Sequence, residues 1–266
     1  MTTEEHETRP DRFDLAGKIV VITGSTQGVG FATAERMAVA GASVVLNNRS
    51  GDGAREAVDR LQAVTPGASV SYVRGDAMRA DDMAALVESV LDRYGTIDVW
   101  VNNASPEVRV DFFERLTTDD WKATIDGKLY SVLTAVQAAL PALKAAGGGS
   151  VVNVVSDAGR VGTAGESLVS AAYGAVIALT KSWAREFARY NVRVNCVSIT
   201  LTRDTLGYDR LLARPEAAKI FDNLARQLRL GIPDPDDAAQ AIVSLAAATR
   251  ITGQTLSVNS GLSFPS

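Results

Sequence analysis

Short β-branched runs recur along this chain at regular intervals, each followed by a longer segment with helical spacing. KIVVIT (18–23), SVVLN (43–47), SVSYVR (69–74), DVWVNN (98–103), SVVNVVS (150–156), VRVNCVS (192–198) and TLSVN (255–259) read as seven strands. Several are apolar at consecutive positions, the pattern of strands covered by helices on both faces of a parallel sheet. The segments between them, FATAERMAVAG and DMAALVESVLDRYG for example, place apolar residues three and four apart and end at Gly. Such alternation implies right-handed βαβ units wound on both sides of one sheet. The predicted fold class is α/β, a doubly wound sheet of seven mainly parallel strands flanked by helices.

A length of 266 residues suits one such domain. No internal repeat or interdomain linker is present, and GGG at 147–149 reads as a helix-to-strand turn. Residues 1–14 read as a flexible polar tail, because no apolar stretch follows the charges as in a secretory signal. Residues 15–266 read as a single domain. The less regular region 199–234 joins the sixth strand to a helix starting near Pro235, and is predicted to cover the ligand crevice as a substrate lid. Its Arg203, Arg210, Arg214, Lys219, Arg226 and Arg229 are opposed by Asp204, Asp209, Glu216, Asp222 and Asp234. That balance describes a solvated helical face rather than an anion clamp.

Composition removes several functions. A net charge of −4 argues against nucleic acid or anionic membrane as the main partner. No apolar run approaches the roughly 20 residues of a membrane helix. Cys196 is the only cysteine and lies in an apolar strand, so an intramolecular disulfide is impossible and a packing role is expected. His6 is the only histidine and lies in the tail, which leaves no material for a Ser–His–Asp hydrolase or a His-ligated zinc site. The expectation is a cytoplasmic protein acting on a small, moderately hydrophobic molecule, without a metal.

The first strand runs into Thr23-Gly24-Ser25-Thr26-Gln27-Gly28-Val29-Gly30 and then directly into a helix. Glycines there let the backbone approach a pyrophosphate, whose charge the helix amino terminus stabilises. The spacing Gly24, Gly28, Gly30 resembles that of the short-chain dehydrogenase/reductase family, and the resemblance extends over nearly the whole domain. Asp76 in RGDAM is similar to the family's acidic residue near the adenine. Asn102-Asn103-Ala104-Ser105 resembles its NNAG block with Ser in place of the final Gly, and ITGQTLSV (251–258) resembles its carboxyl-terminal strand motif. The resemblance implies a Rossmann-like fold and a nicotinamide dinucleotide held by Gly24, Ser25, Thr26, Gln27, Gly28, Val29, Gly30, Arg49, Asp76, Asn102 and Ala104. After the second strand stand Asn48 and Arg49 with no carboxylate in LNNRS. A guanidinium can pair with a 2′-phosphate, so NADP(H) is expected over NAD(H).

The family's catalytic segment has a Ser, then a Tyr thirteen residues on, then a Lys four later. In SDAGRVGTAGESLVSAAYGAVIALTKSWARE (156–186), Ser156 keeps the Ser place, but Val169 stands at the Tyr and Tyr173 at the Lys. Lys128 in WKATIDGKLYSVLTA occupies the place of the family's Asn, and Ile199-Thr200 stand where Pro-Gly usually follows the strand. In the family the Tyr exchanges the carbonyl or alcohol proton, and a phenol with a pKa near 10 needs an adjacent cation to do so readily at neutral pH. Val169 cannot exchange a proton and Tyr173 carries no positive charge.

Three functions follow. The first is an NADP(H)-binding enzyme of this family with non-standard chemistry, either isomerisation or cyclisation, or hydride transfer to a pre-activated C=N or C=C bond. There Ser156, Tyr173 and Lys128 would position the substrate. The second is an ordinary NADP(H) ketone/alcohol oxidoreductase with relocated machinery, Tyr173 supplying the proton and Lys128 the charge. The third is a non-catalytic subunit or binding module. The resemblance also implies a homo-oligomer, dimer or tetramer, associating through helices at 119–145 and 168–190, or an assembly with a related catalytic subunit.

Overall fold

In the computed structural model, which describes residues 13–106, 108–213 and 225–264, all seven predicted runs are strands. They are β1 (Ile19–Ile22), β2 (Ser43–Asn48), β3 (Val70–Arg74), β4 (Val99–Asn102), β5 (Gly149–Ser156), β6 (Val192–Ile199) and β7 (Thr255–Val258). They form one sheet in the order β3-β2-β1-β4-β5-β6-β7, and every neighbouring pair is parallel. The expected Rossmann-like doubly wound sheet is therefore present. The strand order reverses direction at β1, which pairs with β2 on one side and β4 on the other. In open α/β sheets a crevice at that point, beyond the carboxyl ends of the strands, is where ligands bind.

Helices α1 (Gly28–Val39), α2 (Ala54–Val64), α3 (Ala80–Tyr94), α4 (Thr118–Ile125), α5 (Ser131–Ala145), α6 (Ala158–Val161), α7 (Ser167–Phe187), α8 (Leu206–Leu212) and α9 (Pro235–Ala247) connect the strands. Period-two alternation along each strand sends side chains to two separate cores. Val21, Val45, Trp100, Val151, Val155 and Val194 pack with residues of α3, α5 and α7 on one face. Val20, Ile22, Val44, Leu46, Val101 and Val197 pack with residues of α1 and α9 on the other. The start of α9 was legible as Asp-Pro. Asp234 accepts from the Asp236 and Asp237 amides at 3.0 and 3.2 Å, and Asp237 accepts in return from the Asp234 amide at 3.0 Å. This reciprocal cap satisfies amides that the first helical turn leaves open.

A polar chain crosses the first core. The Trp100 indole donates to Asn102 Oδ1 at 2.8 Å, Asn102 Nδ2 to Asn153 Oδ1 at 2.8 Å, and Asn153 Nδ2 to Thr180 Oγ1 at 2.9 Å. All of these groups are buried, so each bond avoids the cost of a desolvated, unpaired polar atom. Thr180 continues the chain to Cys196 Sγ at 3.1 Å. Burial pushes the Cys196 thiol up to about 11, and the Thr180 bond only partly offsets it. The native protein is expected not to react with a colorimetric disulfide reagent at pH 8, and to release one equivalent of thiol product once unfolded. Rapid labelling of the native protein would show that this core opens readily.

Candidate active site

A cavity of about 900 Å³ runs along the carboxyl ends of the strands, from the β2 edge across β1 and β4 to the segment after β6. Its first part is built by the glycine-rich turn. Gly24 has φ +62, a backbone conformation that L side chains rarely adopt. A Cβ on Gly30 would lie 2.4 Å from the Gly24 carbonyl oxygen and 2.5 Å from Asn103 Nδ2, so α1 can pack this closely only without a side chain there. Asn103 Nδ2 donates to the carbonyls of Thr23 and Gly24 at 3.0 and 2.8 Å. Thr23 Oγ1 in turn accepts from the amides of Asn103 and Ala104 at 3.1 and 3.0 Å. The ends of β1 and β4 are thus fastened together, and the turn is held in a shape that admits a phosphate backbone. Gly30→Ala is expected to disrupt this packing, which a lowered melting temperature together with weakened dinucleotide binding would register.

Of the predicted dinucleotide residues, Gly24, Thr26, Gln27, Gly28, Val29, Arg49, Asp76 and Ala104 line the cavity. Ser25, Gly30 and Asn102 do not. Ser25 is buried, donating to the Ile22 carbonyl at 2.7 Å and accepting from the Asn47 amide at 3.0 Å. Gly30 serves the close packing of α1, and Asn102 belongs to the buried polar chain. Of the Asn102-Asn103 pair it is Asn103, not singled out as a binding residue, that lines the cleft. Asn48 is fully engaged, bonding Thr26 Oγ1, the Asp52 carbonyl, the Gly51 amide and the Tyr72 hydroxyl. Arg49 is exposed at the mouth and pairs with no carboxylate among the described residues. Asp52 lines the same mouth and sets a negative charge near it.

At the other end of the cavity, Lys128 lies in a π-helical segment, Asp126–Tyr130, between α4 and α5. Such irregularities re-aim side chains and are frequent at functional sites. Gly127 lets this segment press on Pro106, where a Cβ would fall 2.4 Å from the proline Cγ. Lys128 is only 8% exposed, and its ammonium donates to Ser105 Oγ at 2.6 Å and to the Pro106 carbonyl at 3.4 Å. Ser105 Oγ also lies 3.1 Å from the Tyr173 hydroxyl, and the ammonium is 5.2 Å from the centre of the Tyr173 ring. The structure therefore brings Lys128 and Tyr173 together through Ser105. The only sequence signal for Ser105 was its place as the Ser closing the NNAS block.

Ser156 lines the cavity too, but its hydroxyl accepts from the Ala158 amide at 3.2 Å, a local turn at the start of α6. Val169 lies on the cavity wall, 6% exposed. Glu166, one turn before Val169, also lines the cavity, and burial raises its pKa while the charge of Lys128 opposes that rise. Of the predicted lid, Leu206, Gly207, Tyr208 and Arg210 line the cavity, and its residues 214–224 lie outside the described residues.

The wall is closed by an acidic knot not foreseen in the sequence. Asp157 is 3% exposed and accepts from Ser198 Oγ at 3.1 Å, Ser257 Oγ at 2.7 Å, Asn259 Nδ2 at 3.0 Å and the Ser263 hydroxyl. Burial would raise its pKa, yet the hydrogen bonds from Ser263, Asn259, Ser257 and Ser198 outweigh it and hold the carboxyl below its ordinary value. Its stabilising contribution is then complete above the unfolded carboxylate value of about 3.9 and is lost as pH falls through the lower folded value. Asp157→Asn is expected to cost about 1–3 kcal/mol in urea unfolding at neutral pH, with a smaller gap between variant and parent in strong acid. Equal stability at neutral pH would mean the knot contributes nothing.

Among the described residues no helix is long and apolar enough to cross a membrane, and no group of three or more His, Cys, Asp or Glu side chains is arranged to hold a metal ion.

A wholly parallel doubly wound sheet with a glycine turn at its reversal point defines the nucleotide-binding α/β class. The family model for short chain dehydrogenase matches residues 18–209, and the chain belongs to this oxidoreductase family. It is 35% identical over 254 residues to the 3-oxoacyl-(acyl-carrier-protein) reductase FabG of Thermotoga maritima, covering 93% of this chain and 98% of that one. It is 33% identical over 253 residues to human dehydrogenase/reductase SDR family member 4, covering 94% and 89%. Among solved structures, an NADPH-bound short chain oxidoreductase of Pseudomonas aeruginosa PAO1, described as containing an atypical catalytic center, is similar at TM-score 0.87 and 32% identity. That likeness covers 95% of this chain and 99% of the other.

Proposed function

We propose that this chain is an NADP(H)-dependent oxidoreductase in which Tyr173, Ser105 and Lys128 form the proton-handling group. The observation that carries the reading is the unbroken hydrogen-bonded set Lys128–Ser105–Tyr173, lining the same cavity as the glycine turn. The turn and the amino end of α1 suit a pyrophosphate. Asp76 and Arg49 line the same cavity, and in this reading Asp76 meets the adenosine and Arg49 a 2′-phosphate. The NADPH-bound relative from Pseudomonas aeruginosa supports that choice of cofactor. Bound there, a nicotinamide supplies the hydride donor or acceptor.

The residues of the chain then supply the proton. The Tyr173 hydroxyl offers it to the substrate oxygen, and the bond to Ser105 connects that hydroxyl to a cation. An ammonium joined to a hydroxyl pair stabilises the oxyanion left when a proton departs. The pair comes from different elements, π segment and α7, so neither alone completes the set. The substrate is read as a small, moderately hydrophobic molecule under the partly described lid, in a single-domain, cytoplasmic homo-oligomer associating through α4, α5 and α7.

A second reading is supported by Val169 on the cavity wall and by Ser156, whose hydroxyl is tied to the Ala158 amide. With those two places inert, the cleft suits a pre-activated C=N or C=C bond, or an isomerisation or cyclisation needing no proton from Tyr173. One substitution separates the two. Under the first reading, Tyr173→Phe lowers turnover by about 10²–10⁴-fold while nucleotide binding persists. Retained turnover in Tyr173→Phe favours the second.

Cofactor choice is measured by titrating the protein with NADPH and NADH and following cofactor fluorescence. NADPH is expected to bind more tightly, and Arg49→Ala to weaken NADPH by about tenfold while leaving NADH unchanged, the size of one charge-assisted bond. Equal effects on both would remove Arg49 as the discriminating residue.

A further inference from the structure

Glu166 is the acidic side chain in the deep, substrate-side part of the cleft that none of the roles above uses. It stands immediately before α7, three residues ahead of Val169 and seven ahead of Tyr173. All three line the cavity, so they share one face of the chain there. Val169 is an apolar seat with a carboxyl one turn before it and a phenol one turn after.

Three observations show that this carboxyl is not structural. It does not cap α7, although it occupies the capping position. Among the described residues it accepts no hydrogen bond and forms no ion pair, yet it is part-buried and its pKa is raised by desolvation. The same cavity is also lined by the apolar Val108, Val110, Val161, Val169 and Leu262. A carboxyl that lines a cleft with no protein partner keeps its accepting capacity for a ligand.

The charge of that ligand follows from the neighbouring cations. Lys128 is felt by Glu166, but its ammonium is directed to Ser105 Oγ and the Pro106 carbonyl and forms no ion pair with the carboxyl. Arg210, on the lid side, already has a partner of its own. Of the charged groups at this end of the cleft, Glu166 is the one whose side chain has no hydrogen bond or ion pair among the described residues that accounts for it. Burial favours the neutral acid, and a cationic ligand would restore its charge. An anionic ligand would oppose ionisation, and a neutral hydroxyl would satisfy only part of its accepting capacity. A basic nitrogen supplies both donors and the opposite charge.

We infer that Glu166 is the substrate-recognition residue of this cleft and that it selects a small, largely apolar molecule carrying a basic nitrogen, held as an ammonium–carboxylate pair. This names the substrate class of the proposed oxidoreductase site and rests on that reading only for placing the substrate end of the cleft.

The test uses three probes with one carbon ring: cyclohexylamine as its ammonium, cyclohexanol and cyclohexanecarboxylate. Each is titrated by calorimetry into the full chain, with and without NADP⁺. The ammonium is expected to bind about tenfold or more tightly than the alcohol, and the carboxylate most weakly. Glu166→Gln should erase the difference between ammonium and alcohol, and Glu166→Asp should keep part of it. A melting curve and NADP⁺ titration matching the parent show that Glu166→Gln is folded. Equal affinities in the parent, no measurable ammonium binding, or a preference that survives Glu166→Gln would each overturn the inference. If the ammonium preference holds but NADP⁺ does not bind, the oxidoreductase reading falls and the recognition role of Glu166 stands. If NADP⁺ binds and the preference is missing, the reverse holds.

Discussion

Everything in the cleft depends on how β1 and β4 are tied at their carboxyl ends. Thr23 Oγ1 receives two amides from the strand-end segment of β4, and Asn103 returns two bonds to the carbonyls of Thr23 and Gly24. The four bonds hold the glycine turn against Ala104, close enough that a Cβ on Gly24 would lie 2.8 Å from the Ala104 Cα. Because β1 is the strand at which the sheet order reverses, the helices on its two sides diverge and a crevice must open there. The tie sets the width of that crevice and starts the wall that leads on to Ser105, Lys128 and Tyr173.

The far end of the crevice gathers its ionisable groups from several elements. Val169 of α7 lines it with a polar group one turn to either side, Glu166 just before the helix and Tyr173 on it. The cation linked to the Tyr173 hydroxyl is Lys128 of the π segment, reached through Ser105. Lys128 lies inside the local irregularity at 126–130, of a kind that re-aims side chains, and its ammonium reaches both Ser105 and Pro106. The acidic knot at Asp157 fastens the carboxyl-terminal segment, and with it Leu262, to the same wall.

Much of this was legible beforehand, for physical reasons that can be named. Strands such as KIVVIT and VRVNCVS are apolar on both faces because helices cover both, so their class and order of appearance are written locally. The Asp-Pro start of α9 is likewise local, since a helix cap is satisfied within four residues. Asn102 and Asn103 illustrate the limit. They are adjacent and identical in type, and strand alternation sends one into the core toward Asn153 and the other to the glycine turn. Asp157 read as an unremarkable residue after Ser156, because the side chains that hydrogen-bond it lie about 40 to 106 residues away in sequence.

The sequence by itself determined a doubly wound parallel sheet and a glycine turn after its first strand. These are consequences of periodicity, backbone freedom and residue type, all of which act over a few neighbouring residues. Only the tertiary structure decided that Lys128 and Tyr173 meet through Ser105, that Asp157 gathers the end of the chain, and that Glu166 faces the cavity without a hydrogen bond. Hydrogen bonds and charge pairs of that kind depend on distances between segments remote in sequence, and those distances exist only once the sheet and its helices have packed.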